Sequence, residues 1–346
     1  MVRWGEAMHH DDDDTADLFL DAPGGVVALR DSRSLLEFPF FGLHRTAGHD
    51  PIEFKLGEVS LRVTGGEKGI ATIWDRDLLI YAASIINKAV DAGETPHRRI
   101  RFVAHDFLRN AKRGTGNRAY QQLGDALVRL NTTHIVTSIE AGDQAERRGF
   151  HWIDSFKENT IITRSGEKRL SNIEITMNDW LFRGLVQDRS VLGISPAYFE
   201  LQGGLERRLF QIARKHCGKQ KSWRFSLGKL RAKVGSTQEM RHFKRDLAKV
   251  IAADNIPTYT FRIEAETEYD TSVSRSNRAL RKRTDDLIVT IIRREGKHIP
   301  GRLLRRLDAA LADDEFSVDE GSAFLVGDDE SDVLIAREEP AWEDEE

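Results

Sequence analysis

The side chains in this sequence best placed for specific chemistry are arginines, lysines and glutamines on predicted helix faces. Between Leu205 and Lys249 stand 14 basic residues against Glu206, Glu239 and Asp246, a local charge of +11 in a chain whose formal net charge is −4. Such asymmetry points to a polyanionic partner, and nucleic acid is the usual one. Within this stretch Gln238, Arg241, His242, Arg245 and Lys249 recur at the spacing of one helical side. Arginine and glutamine can reach base edges with paired hydrogen bonds in a major groove. A second face of similar composition, Arg118, Gln121, Gln122 and Arg129, lies in the first half of the chain. Lys221, Arg224, Lys233 and Thr237 flank the stronger face and suit phosphate contacts. Arg281 and Arg283 sit in a long polar loop that is either a wing tip reaching DNA or a basic loop without fixed structure.

Other chemistries lack their residues. No Gly-x-x-x-x-Gly-Lys-Ser/Thr occurs, and Gly65-Gly66-Glu67-Lys68-Gly69 has the wrong spacing for a nucleotide loop. No His-x-His set with a paired tyrosine is present, as a strand-nicking enzyme would need. The single Cys217 excludes a disulfide framework and a cysteine zinc site. His9-His10-Asp11-Asp12-Asp13-Asp14 reads as a solvated acidic run rather than a metal site. The remaining carboxylates concentrate in the tails, where no acid–base pair is preorganised. We therefore expect no catalytic site, no metal and no cofactor. With no apolar run long enough to span a bilayer and no signal sequence, a cytoplasmic protein with no membrane partner is expected.

Residues 1–34 read as an acidic tail. A first domain is expected over 35–188. It opens with the apolar cluster Phe38–Leu43, alternating strands at Ile52–Leu56 and Glu58–Val63, and a helix from Trp74 to Val90. That helix carries one apolar stripe through Trp74, Leu78, Tyr81, Ile85 and Ala89, widened by Leu79, Ala82 and Ile86. A strand at Ile100–Phe102, a helix at Ala104–Lys112, a glycine turn, Asn117 as N-cap and a helix at Arg118–Leu130 follow. Strands at Thr132–Glu140 and Phe150–Phe156 then form a hairpin, which completes the order of a winged helix-turn-helix, and one more strand at Ile173–Ile175 and a closing helix at Asn178–Val186 follow. A second domain over 189–300 repeats that order. It has a helix at Leu205–Cys217, a strand at Trp223–Phe225, and a helix from the Ser226 cap to Gly235. The capping box Ser236-Thr237-Gln238-Glu239 opens the next helix, with Met240, Phe243, Leu247, Val250 and Ile251 inward. Strands at Tyr259–Ala265 and Leu287–Arg294 close the unit. Residues 301–346 are a tail with 15 acidic residues against Arg337 from Asp313 onward. The expected fold class is α+β: two tandem winged helix-turn-helix domains with acidic flexible tails.

Several motifs resemble the plasmid replication initiator protein A family of alphaproteobacterial plasmids. They are Phe38-Pro39-Phe40-Phe41, Pro51-Ile52-Glu53-Phe54 and the long run from Ile70 to Ser84. The likeness continues through Ile100-Arg101-Phe102, Arg113-Gly114-Thr115-Gly116, Ala126 to Leu130 and Gly203-Gly204-Leu205-Glu206-Arg207. It spans roughly Leu35 to Glu266. The resemblance implies binding to repeated sites in double-stranded plasmid origin DNA, local strand opening, and recruitment of a host initiator and the replicative helicase. It also implies homodimers that repress their own gene. The acidic C-terminal tail lies beyond the matching part. A transcriptional repressor of the same fold fits the same residues. A protein that docks its basic segment on an acidic partner is the reading from outside DNA binding.

Overall fold

The run from Leu78 to Ile86 is apolar on every side, and the structure is built around it. The computed structural model describes residues 20–21, 28–57, 59–138, 147–162, 166, 168–187, 191–264 and 287–294. All of them fall within one compact unit, residues 1–302. The first elements are β1 (Leu20–Asp21), β2 (Arg30–Ser32), α1 (Arg33–Glu37), β3 (Ile52–Leu56), β4 (Val59–Thr64) and α2 (Arg76–Asp91). Then come β5 (Arg99–Val103), α3 (Ala104–Asn110), α4 (Asn117–Thr132), β6 (His134–Thr137), β7 (Arg148–His151), β8 (Ile153–Ile162), β9 (Lys168–Met177) and α5 (Asp179–Val186). After β10 (Val191–Gly193) and a 3-10 turn at Pro196–Glu200 follow α6 (Gly204–His216), β11 (Ser222–Ser226), α7 (Leu227–Val234), α8 (Met240–Ala253), β12 (Tyr259–Glu264) and β13 (Ile288–Arg293). Helix and strand are thus mixed, as the α+β class requires. β1 and β2 lie inside the span read as a tail, and β2 pairs with β10 in register Asp31↔Leu192.

Every residue of α2 from Arg76 to Asn87 is buried. The single apolar stripe expected from spacing is therefore corrected: β1, β2, α3 and α5 all pack against this helix. Two charged residues are carried inside with it, and each has a partner, as buried charge demands. Arg76 is paired with Asp31. Asp77 accepts from Arg113 at 2.9 Å and from Arg207 at 2.7 Å. Burial pushes the Asp31 carboxyl up to about 6, with Arg76 opposing the shift.

The core about α2 includes an aromatic group in which Trp152 stacks on Phe41 at 4.8 Å and meets Phe40 edge-on at 5.3 Å. Trp152 and Phe40 are fully buried, so truncating either costs about 3–5 kcal/mol. A second core gathers Tyr198, Phe210, Phe243 and Tyr259 from the later elements. Leu36 of α1 and Ile80 of α2 reach into it, so the two halves share side chains rather than meeting across a solvated linker.

The sheets correct one part of the expected topology. β6 and β7 do pair, with His134 opposite His151, but they extend the β3–β4 ribbon into the sheet β3-β4-β6-β7. The hairpin that follows α4 on its own sheet is β8–β9, in the order β1-β5-β9-β8. The register explains the switch. Ile173 and Ile175 of β9 are buried beside Phe102 and Ile100 of β5, while most of β8 is exposed. Its polar outer face hides the strand from a search for apolar alternation. The later half has the sheet order β11-β13-β12. A strand, two helices and a hairpin whose last strand pairs centrally with the first strand occur twice, with β6 and β7 inserted between α4 and the hairpin in the first half.

Gly203-Gly204 looks like a helix breaker, yet α6 begins on it. A Cβ at Gly204 would lie 1.9 Å from the Leu43 carbonyl oxygen, so close backbone approach is what requires glycine there.

Candidate nucleic-acid interface

α7 and α8 position the stronger of the two candidate faces. The Ser226 hydroxyl caps α7 by accepting from the Lys229 N–H at 3.3 Å. Gly235 ends the helix at φ 78°, a left-handed conformation that glycine adopts without penalty. Leu227, Leu230 and Val234 of α7 and Phe243 and Leu247 of α8 are buried. Their spacing fixes the outward side of α8. That side carries Arg241, Arg245 and Lys249, all exposed, with His242 half-buried.

The expected capping box is not formed. α8 starts at Met240 with Glu239 as its N-cap and no side-chain cap bond. The reason lies in α7, whose closing turn takes the Ser236 N–H to the Arg231 carbonyl at 3.2 Å. The Glu239 carboxylate instead accepts from Arg241 Nε at 2.8 Å. Thr237 and Gln238 therefore belong to the turn before the helix, both exposed. Asp246 lies among the basic groups and accepts from Arg245 at 3.3 Å, Lys249 at 3.4 Å and Gln238 at 3.4 Å. These are solvated contacts of little energy, readily exchanged for a ligand's acceptors. Lys221, just before β11, and Arg224 within it are exposed.

Lys233 is not on this surface, which corrects the phosphate role expected of it. It is buried, and its ammonium donates to Glu37 at 3.0 Å. Glu37 also faces Lys215 at 3.5 Å and His216. Burial alone would raise the Glu37 carboxyl, but the Lys233 hydrogen bond and the neighbouring positive charges hold it below its ordinary range. His216 is half-buried, and desolvation, with Lys233 adding to it, pushes it down to about 4. Arg207 and Arg208 leave the basic patch in the same way. Arg207 binds Asp77 and the Leu201 and Phe199 carbonyls. Arg208 donates to the carbonyls of Leu36, Glu37 and Lys233. A share of the +11 thus works inside the molecule, where it ties α6 to α1, α2 and α7.

On α4, Arg118, Gln121 and Gln122 are exposed, and the helix separates the two glutamines. Gln121 borders a groove against Glu158 of β8 and Lys168 of β9. Gln122 borders a larger cleft on the other flank. Arg129 does not face outward, and its expected role as a base reader is corrected. Its guanidinium grips Asp75 bidentately at 2.7 and 2.8 Å, and that hydrogen bonding raises its pKa further. α4 is amphipathic enough to bury its apolar side, but its last turn lies over the start of α2, so the next residue along the polar face meets protein. Residue 281 and residue 283, Arg281 and Arg283 of the polar loop, lie outside the described residues.

Sequence reasoning missed the cleft beside α4, of about 590 Å³, where Arg45, Lys112 and Arg113 come together. These residues come from loops far apart in the chain, so no spacing signal announces them. Among the described residues no group of three His, Cys, Asp or Glu side chains could hold a metal, and no helix is long and apolar enough to cross a membrane.

The fold is similar to that in the crystal structure of domains 2 and 3 of RctB. The TM-score is 0.51 at 15% identity, covering 75% of this chain and 97% of that one. That likeness places the chain in a class of mixed helix and strand architecture. The family follows from sequence. Residues 30–261 match the model of the replication initiator protein A family, and the chain belongs to that family. A protein of Wigglesworthia glossinidia brevipalpis whose name assigns it to replication is 32% identical over 240 residues, covering 68% of this chain and 86% of the relative. The protein is a replication initiator.

Proposed function

We propose that this initiator acts on double-stranded plasmid origin DNA through two winged helix-turn-helix units, 35–188 and 189–300. The observation that carries the reading is the recurrence of one arrangement: β5-α3-α4-β8-β9 with sheet order β5-β9-β8, and β11-α7-α8-β12-β13 with sheet order β11-β13-β12. In that arrangement the second helix of each pair enters a major groove. The α8 side chains Arg241, Arg245 and Lys249 read or contact bases, with His242 at the edge and Thr237 and Gln238 in the turn before them. Lys221 and Arg224 position the backbone, and Arg118, Gln121 and Gln122 form the second reading face. Most of the affinity comes from phosphate contacts and is salt-sensitive. Repeated sites in the origin fit a protein with two reading units. No covalent step belongs to this mechanism: the protein binds, opens DNA and recruits a host initiator and the replicative helicase, and it represses its own gene as a homodimer.

Footprinting on the DNA flanking the gene tests the reading, and repeated protected blocks are expected. Arg241→Ala with Arg245→Ala should weaken the protected duplex by at least about tenfold, since a bidentate base contact is worth about 1–3 kcal/mol of discrimination. Undiminished binding by that variant would sink the assignment of α8. A plasmid that replicates without the protein would sink the initiator role.

A further inference from the structure

The cleft beside α4 is built from separate loops. Arg45 comes from the segment after α1, Lys68 from the glycine turn after β4, and Lys112 and Arg113 from the turn between α3 and α4. Arg129 and Arg207 complete its basic lining, against Asp75 and Asp125 on the walls. The internal pairs account for part of that charge. Arg129 is held by Asp75, Lys68 by Asp125, and Arg113 and Arg207 share the single carboxylate of Asp77. Six positive groups against three negative ones leave a surplus of three.

Arg45 is held in place within this surplus. It donates to the Gln202 side chain at 3.0 Å and lies over the Trp74 ring at 4.7 Å. Desolvation first, then the positive charges of Arg207 and Arg113, lower its pKa. Like charges kept together at this cost are what an anion site looks like before the anion arrives. Ala119 and Gln122, on the exposed flank of α4, form one wall. A duplex seated on α4 would carry its own backbone past that wall.

We propose that this cleft is a phosphate-binding site for the DNA backbone alongside α4, with Arg45 and Lys112 as its principal contacts and Arg113 behind them. The assignment rests on the proposed DNA-binding function. It extends that function to residues outside both helix faces, and it gives α4 an anchor that reads no sequence. The two contacts neutralise phosphate charge, so they contribute affinity and salt dependence without base discrimination.

The test uses the full chain, a footprint-protected duplex and a scrambled duplex of equal length, titrated at several salt concentrations. Arg45→Ala with Lys112→Ala should weaken both duplexes by a similar factor, about tenfold at low salt, and flatten the salt slope by about 2. Arg45→Lys with Lys112→Arg should restore the slope, because charge is the requirement. Matching thermal unfolding of all the proteins excludes misfolding. An unchanged slope, with wild-type binding intact, overturns the cleft assignment and leaves the proposed function standing. Absence of any duplex binding by the wild-type chain overturns both. Inorganic tripolyphosphate, titrated calorimetrically without DNA, separates the sources of phosphate. Tripolyphosphate binding that the double variant loses, alongside an unchanged DNA slope, would make the ligand a free phosphate and overturn the DNA assignment.

Discussion

Replacing Asp77 by alanine should be one of the most damaging single changes on α2, although that residue lies on neither candidate helix face and reaches the cleft only through Arg113 and Arg207. The carboxylate is fully buried and receives Arg207 at 2.7 and 3.0 Å and Arg113 at 2.9 Å. Its removal leaves Arg207, itself 3% exposed, with no carboxylate, held by the carbonyls of Leu201 and Phe199 and the rings of Tyr198 and Trp74. Removing one partner from a buried ion pair costs about 3–5 kcal/mol, because the remaining charge stays desolvated. The change should therefore lower Tm by about 6–20 °C in a unit of this size. Differential scanning calorimetry, with urea unfolding alongside, reads both quantities. Asp77→Leu combined with Arg207→Met removes the two most buried charges and keeps the volume, and Arg113 retains the Trp74 carbonyl and solvent, so the double variant should recover most of the loss. If Asp77→Ala lies within about 1 kcal/mol of wild type, or if the double variant is no better than the single, the ionic link between α2 and α6 does not hold the two halves together and the reasoning fails.

Arg129→Ala should behave as a stability variant rather than a DNA variant. It strands the nearly buried Asp75 at a cost of about 2–4 kcal/mol, measured by urea unfolding, and leaves the salt slope of DNA binding almost unchanged. His216→Gln should flatten the acid side of the stability profile. The folded pKa of His216 is lowered from 6.5 to about 4, so its stabilising effect is complete above pH 6.5 and is lost as pH falls towards 4. Discounted for partial exposure, the wild type should lose about 1 kcal/mol more than the variant between pH 7 and pH 5 in paired unfolding curves. Gly204→Ala brings a Cβ to 1.9 Å from the Leu43 carbonyl oxygen. It should lower stability by more than about 2 kcal/mol, whereas Gly184→Ala, in α5 with open space where its Cβ would lie, should be neutral or slightly stabilising by the same calorimetry.

The amino-acid sequence by itself determined the main helices, the paired candidate helices and the family. Those depend on short-range properties that can be read along the chain. The apolar spacing of Phe243 and Leu247 orients α8. The Ser226 cap and Gly235 bound α7. The run from Ile70 to Ser84 carries the family likeness. The exposed positions of Arg241, Arg245 and Lys249 follow from that same local periodicity, and the structure agrees. Only the tertiary structure decided which cations point to solvent. Arg129, Lys233, Arg207 and Arg208 have the composition of a basic surface, yet each is consumed by a carboxylate or carbonyl brought from a distant segment: Asp75, Glu37, Asp77, Leu36. Periodicity gives the direction a side chain leaves its helix, but it does not say what stands opposite. Strands overlapping β8 and β9 could be read at Phe150–Phe156 and Ile173–Ile175, but their pairing could not, since most of β8 is polar and gains its place by pairing with β9. The cleft that gathers Arg45 with Lys112 exists only because the fold brings the loops after α1 and after α3 to the rim of one cavity. Charge counts along a chain are local sums, whereas the field a ligand meets is set by which of those charges already have partners.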